Sequence, residues 1–563
     1  MTHPTSPPGR APERPASAVH AAPRRPWQSV GLMVAVGALL RVLLLLTWEG
    51  TGETDGIGRT MTAADWMRGA TPLFGWHTWP ELNFLLPALG IAVGGDWFWA
   101  PRVVYGLVSL ALIPPVVAVT RRMGDEASAA VAGWLAAVTP FLAVFATSGA
   151  RSETVGATGI MLALWGILRW DHGRGRWGDL LLAVAGVVVA EGVRFDGVLV
   201  GAALGVVLLG TWLTERPDPL GGRRLVGMLL FGGVCLAYPV ALSVSWHAHF
   251  GDPLHFLHTA QENARQFLVD GEHARFPTGV YQAYGVVFPL LAMGFILTPG
   301  VMLLGLAGLA RRWRERAVVP LLALVAVQVG FIIKNIVQIT QQPQIRYVVP
   351  VAVLLLPGVL PGVRWVASRR WLPAAWRSPR RVAGAALLAG LASEGLAAVV
   401  TVRPTGLLTR QLGGYGPVQV DQFATRALWP AVQARAAAGD TLLVTPFVLS
   451  PYALLATAYR TGGVPVVHPS NYQSGNGVYT IPDFEAMLAA RLHGARFVLA
   501  NTGEAIKGFV GGLARDPIGL AAGAAGDGLV RWGGHTFRRL DAHGAIVLLE
   551  RLPGATAAAP PTP

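Results

Sequence analysis

The sequence predicts an α-helical polytopic membrane protein of about eleven transmembrane helices, ending in an extracytoplasmic α/β domain. Three observations predict it. Of 563 residues, 53% are hydrophobic and only 13% charged, with a mean hydropathy of +0.47, whereas soluble domains carry about a quarter charged residues. Apolar runs able to cross about 30 Å of hydrocarbon, at about 1.5 Å per helical residue, recur from residue 27 to residue 401. Beyond that point the pattern changes to short β-rich runs separated by Ala-rich stretches.

Residues 1–26 are rich in Pro, Ala and Arg without apolar periodicity and read as a disordered cytoplasmic tail. The membrane module, 27–401, opens with an apolar run from Trp27 to Trp48 interrupted only by Arg41. That run is too long for a signal peptide and lacks its small-residue cleavage site, so it is a retained helix. The first outer loop, 49–97, sets down Glu49, Glu53 and Asp55, continues with "RTMTAADWMRG" at helical spacing, and then carries Trp76, Trp79, Phe84 and Trp97. With Trp99, these rings fit an interfacial belt, so the loop lies along the membrane surface. Further spans are expected near 98–120, 127–147, 154–170, 179–191, 197–213, 225–246, 283–310, 317–333, 347–363 and 382–401. The segment 179–191 is short for a bilayer.

The net charge of +14 is spread in short arginine clusters between apolar runs, which sets topology and excludes nucleic acid as a partner. With a cytoplasmic N-terminus, Arg121/Arg122, Arg174/Arg176, Arg223/Arg224, Arg311/Arg312/Arg314/Arg316 and the arginines from Arg364 to Arg381 all fall inside. Most acids, including Glu81, Glu153, Glu191, Asp196 and Asp252, fall outside, as the positive-inside rule requires. An odd number of spans then places residues 405–552 outside. There "TLLVT", "VPVV", "RFVLA" and "AIVLLE" alternate with helical stretches, which implies a partly parallel sheet. Residues 553–563 are a loose tail. The lone cysteine, Cys235 in an apolar run, allows no internal disulfide.

The patches "GETDGIGRTMTAADWMRG", "WFWAPRVVYGL", "SGARSETVGATGIMLALWGILRW", "EGVRFDG", "HFGDPLHF" and "IRYVVPVAVLLLP" follow one another in this order. With the architecture, they resemble the GT-C superfamily of polytopic glycosyltransferases, the group of protein O-mannosyltransferases and the lipid A aminoarabinose transferase. The resemblance implies transfer of a sugar from a polyprenyl-phosphate donor to a glycan, lipid or protein acceptor, with inversion, at the outer face of the cell membrane. Such chemistry needs a base at the acceptor hydroxyl and cations at the departing phosphate.

By its position in the first outer loop, Asp55 matches the family's base, with Glu53 the alternate; the bland reading is that both cap the following helix. Glu153 matches the second acidic position and would steer the acceptor or hold Asp55, unless Arg151 merely neutralises it. Arg102, Arg194 and Arg346, the last beside Tyr347, are phosphate candidates, since a guanidinium donates two parallel hydrogen bonds. Lipid anchoring is the competing role for all three. His255 and His258 can share a helical face with Glu262 and contact substrate. Their spacing is not that of zinc hydrolases, and the metal-dependent Asp-x-Asp appears only as Glu-x-Asp, so no metal cofactor is expected; a divalent cation at Glu53 and Asp55 is the alternative. The rival class is a lipid-linked sugar flippase or other transporter, but the charges gather at one face and not at mid-bilayer, and no paired broken half-helices recur.

Overall fold

The computed structural model describes residues 26–47, 54–67, 80–95, 99–147, 151–172, 175–214, 222–258, 278–338, 343–386, 427–445, 494–503, 506–509, 512–514, 516–525 and 528–553, with a few isolated positions between them. Most of both tails, the expected span 382–401 beyond its first residues, and the loop 468–484 lie outside the described residues.

The chain is mostly helical. Helix α1 (Val30–Thr47) buries its single charge, Arg41, inside the bundle. The Arg41 Nε donates to Ser109 Oγ at 2.6 Å, and Nη1 to the carbonyls of Gly37 and Ala137 at 3.0 and 3.2 Å. These hydrogen bonds tie α1 to α4 (Trp99–Leu110) and α6 (Glu126–Val138). Between α1 and α4 lie α2 (Thr54–Met67) and the short apolar α3 (Leu82–Gly94). Helix α5 (Ile113–Met123) continues α4, and α7 (Pro140–Thr147) continues α6 after a 46° bend, where Pro140 removes a backbone donor.

Next come α8 (Glu153–His172), α9 (Trp177–Val193), α10 (Val198–Thr214), α11 (Gly222–Phe250), α12 (Thr278–Leu297), α13 (Pro299–Arg311), α14 (Val319–Val337), α15 (Val349–Leu355) and α16 (Val359–Ala367). Helices α8 and α9 pack backbone to backbone. A Cβ on Gly186 would stand 2.3 Å from Ala163 N and 2.5 Å from the Gly159 carbonyl, so only hydrogen fits there.

Among the described residues, six helical segments are long and apolar enough to cross a membrane: Trp99–Met123, Phe195–Thr214, Gly222–Phe250, Gly279–Leu297, Val319–Val337 and Ile345–Ala367. The bent pair α6 and α7 makes a seventh. The eleven expected spans are therefore not all equally built. The segment 283–310 is broken at Thr298, whose φ of 70° and following Pro299 end one helix and start another. Helix α9 has 17 residues and carries Asp179 and Glu191, while α1 and α13 are apolar but short.

One end of this bundle is tied together by ion pairs. Arg224, fully buried, donates to Asp171 at 3.1 Å, and Arg316 reaches the same carboxylate at 2.8 Å. Arg364 pairs with Asp125 at 2.6 Å, and Arg312 donates to the Met123 carbonyl. Asp171 lies eighteen residues along α8 from Glu153, so the opposite end is about 27 Å away.

In the C-terminal region, β1 (Leu442–Val444), β2 (Val466–Val467), β3 (Phe497–Asn501), β6 (Leu529–Trp532), β7 (His535–His543) and β8 (Ile546–Arg551) form one sheet in the order β2-β1-β3-β8-β7-β6. The β1 pairings with β2 and β3 are parallel and the rest antiparallel. A separate hairpin joins β4 (Ile506–Phe509) and β5 (Gly512–Ala514). Helix α17 (Pro517–Ala524) is capped by Asp516, whose Oδ1 accepts from Ile518 N and Gly519 N at 3.0 and 3.1 Å. The partly parallel sheet was expected; the charged hairpin β6–β7 was not.

Candidate active site

At the end of the bundle away from Asp171, the starts of α8 and α15 and the end of α9 bring charge together. Glu153 opens α8, where a carboxylate is favoured by the helix dipole, and is 2% exposed. Its Oε1 stands 3.9 Å from Arg346 Nε, and its Oε2 has no hydrogen-bond donor among the described residues. Arg346 sits in a 3-10 turn, Ile345–Val348, that leads into Pro350 and α15. Its guanidinium lies 5.2 Å from the centroid of the Tyr347 ring.

Arg194 approaches the same ring, at 5.4 Å. It ends α9 in an extended conformation, and its stem packs on Gly156 of α8, where an added Cβ would be 3.1 Å from Arg194 Cδ. Asp196 grips it with two parallel bonds, 2.8 Å from Nε and 2.9 Å from Nη2. The turn between them is tight because Gly197 lies on the backbone of α9: a Cβ there would be 2.4 Å from Glu191 N.

The first outer loop is joined to this cluster through α3. Helix α2 packs Ala63 and Trp66 against Phe84 and Ala88 of α3. At the start of α3, Asn83 Nδ2 donates to the Val193 carbonyl at 2.9 Å, one residue before Arg194. Asp55 lies in the first turn of α2, but its side chain is outside the described residues, as is all of Glu53.

The remaining expected residues have definite partners. Arg102, 2% exposed, donates from Nε to the Thr147 carbonyl at 2.6 Å, at the negative end of α7, and lies 5.1 Å from the Trp99 ring. Arg151, 3% exposed, lies 4.2 Å over the Phe145 ring. His258 pairs through Nδ1 with Asp252 at 2.7 Å, and His255 stacks on Phe250 at 4.0 Å. The two histidines thus turn to separate local partners, and Glu262 lies outside the described residues. Phe256, between them, stacks on Phe195 at 3.6 Å, which ties their loop to the Arg194 turn. Among the described residues no group of three or more His, Cys, Asp or Glu is placed to hold a metal ion.

The structure adds three residues that sequence reasoning did not single out as site groups. Asp196 is visible in the sequence only as one of many outer acids. Tyr238, in mid-α11, donates to Glu81; nothing in an apolar run marks it. Glu191 is fully buried, and neither of its oxygens meets a donor among the described residues.

The sequence model of the dolichyl-phosphate-mannose-protein mannosyltransferase family matches residues 80–232, which hold Glu81, Arg102, Arg151, Glu153, Arg194 and Asp196. Among proteins of curated function, none matches the chain. In structure the chain is similar to ArnT from Cupriavidus metallidurans in the apo state, with a TM-score of 0.54 and 16% identity over 95% of this chain and 99% of that one. The same protein bound to undecaprenyl phosphate matches with a TM-score of 0.52 and 17% identity, again over 95% of this chain and 99% of that one. The chain has the GT-C fold of polytopic glycosyltransferases.

Proposed function

We propose that the chain is an integral-membrane glycosyltransferase that moves a sugar from a polyprenyl-phosphate donor to a glycan, lipid or protein acceptor outside the cytoplasm, inverting the anomeric carbon. The observation that carries this reading is the gathering of Glu153, Arg346, Arg194 and Tyr347 at one end of an apolar bundle. The likeness in fold to a protein bound to undecaprenyl phosphate supports the choice of donor.

In this reading the acceptor oxygen attacks the anomeric carbon while its proton passes to the carboxylate of Asp55, or of Glu53. The bond from that carbon to the phosphate oxygen breaks, and its electron pair leaves with the polyprenyl phosphate. Arg346 and Arg194 face the charge that develops on the phosphate, where fixed donors in a water-poor site count most. Glu153 steers the acceptor or holds the base. Arg102 and Arg151 add positive potential on the side of α7, and His255 and His258 stand at the rim with the acceptor. No metal cofactor enters the reaction.

The test incubates the purified chain with a panel of polyprenyl-phosphate sugars and measures released polyprenyl phosphate by mass spectrometry. Turnover with one donor, lost in Asp55→Asn or Glu53→Gln, is the expected result. Turnover retained in both variants would remove the assigned base, and release from no donor of the panel would remove the donor class.

A further inference from the structure

We propose that the connector from Ser368 to Arg381 is a docking surface for anionic phospholipid headgroups. It follows α16, which ends a membrane-crossing segment at Ala367, and runs into a helical stretch that begins at Pro379 and continues apolar in sequence. Eleven residues separate the two helices, and because they are folded back on themselves they stay by the end of the span, next to a headgroup layer about 5–8 Å deep on each side.

The connector is folded back on itself. Arg377 donates from Nε to the Leu372 carbonyl at 3.0 Å and from Nη2 to the Arg370 carbonyl at 2.8 Å, and Arg381 donates to the Ala375 carbonyl. A 3-10 turn, Ala374–Trp376, closes the knot. Between Trp371 and Arg381 only Leu372 and Ser378 are even partly covered.

The exposed face has two chemistries. Trp371 is 73% exposed and Trp376 46% exposed, rings of a kind that settle at headgroup depth. Around them stand Arg369, Arg370, Arg377, Arg380 and Arg381, with no Asp or Glu between residues 364 and 381. None of these five arginines pairs with a carboxylate among the described residues. Arg364, by contrast, is taken by Asp125, and Arg316 by Asp171. A turn whose guanidinium groups meet backbone carbonyls and a ring but no carboxylate among the described residues, with bare indoles beside them and held at the membrane surface, fits a lipid phosphate above and an acyl boundary below. An acidic protein would satisfy the arginines but leave both indoles bare.

The full-length chain in neutral detergent would be titrated with phosphatidylglycerol or phosphatidylcholine, and bound lipid counted by native mass spectrometry. Wild type is expected to hold phosphatidylglycerol at least about tenfold more tightly than a variant with all five arginines changed to Gln. The corresponding five-lysine variant should keep most of the binding, which separates lost charge from lost fold. High salt should weaken phosphatidylglycerol binding, and Trp371→Ala with Trp376→Ala should lower binding of both lipids. Equal phosphatidylglycerol binding by wild type and the Gln variant, or no preference of wild type over phosphatidylcholine, overturns the proposal.

Discussion

Glu153 and Arg346 stand 3.9 Å apart, too far for a hydrogen bond and near enough for strong attraction where water is scarce. One oxygen of the carboxylate meets no donor among the described residues, which leaves acceptor capacity for a substrate. Glu153→Gln, which keeps the shape and loses the charge, is expected to lower kcat by about 100-fold or more in the polyprenyl-phosphate assay while the thermal midpoint holds. Asp196 accepts two hydrogen bonds from Arg194. Asp196→Asn should loosen that guanidinium and raise the donor KM several-fold more than it lowers kcat, a split that steady-state kinetics reads directly. Glu191 differs in kind: a buried carboxylate that meets no donor among the described residues costs free energy unless it is neutral. Glu191→Gln is therefore expected to raise the thermal midpoint, and a fall would show that the carboxylate is held by a group beyond the described residues. Arg194 and Glu153 were legible because chain order, sidedness and the resemblance marked them. Tyr238 was not, since its partner Glu81 lies 157 residues away across the bundle.

At the scale of elements, the site depends on α8 and α9 staying in register, since Glu153 opens one and Arg194 closes the other. Gly186 fixes that register by letting the backbones meet. Gly186→Leu should push the helices apart, cost about 1–3 kcal/mol or more, and lower activity without touching a charged group; thermal unfolding and turnover measured together check both effects. In the sheet, burial would raise the Glu550 carboxyl, but hydrogen bonds from Arg538 and Arg496, at 2.8 and 3.0 Å, hold it below its ordinary value. A depressed folded value means that its contribution is complete above the unfolded value of about 4.3 and fades as the pH falls through the lower folded value. Hydrogen-exchange protection factors across β3, β7 and β8, taken against the intrinsic rate at each pH, should therefore fall in acid, and Glu550→Gln should remove that acid dependence. The strands β1, β3 and β8 were legible from their apolar runs. The β6–β7 hairpin was not, because its exposed arginines obscure the alternation that buries Val530 and Phe537.

For the whole molecule, composition and the spacing of apolar runs determined a helical membrane protein with a mixed sheet at its end, because both follow from which residues leave water. The order of the acidic and basic patches along the chain pointed to the GT-C fold, and the structural likeness to ArnT bears that out. The helical breaks were decided by packing: Thr298 and Pro140 interrupt runs that hydropathy alone reads as continuous. Tertiary structure alone decided which charges meet. Periodicity is local, and no local pattern can set Glu153 beside Arg346, Arg194 against Tyr347, or Asn83 on the Val193 carbonyl. Those contacts join segments about 110 to 190 residues apart, and they exist only once the helices have packed.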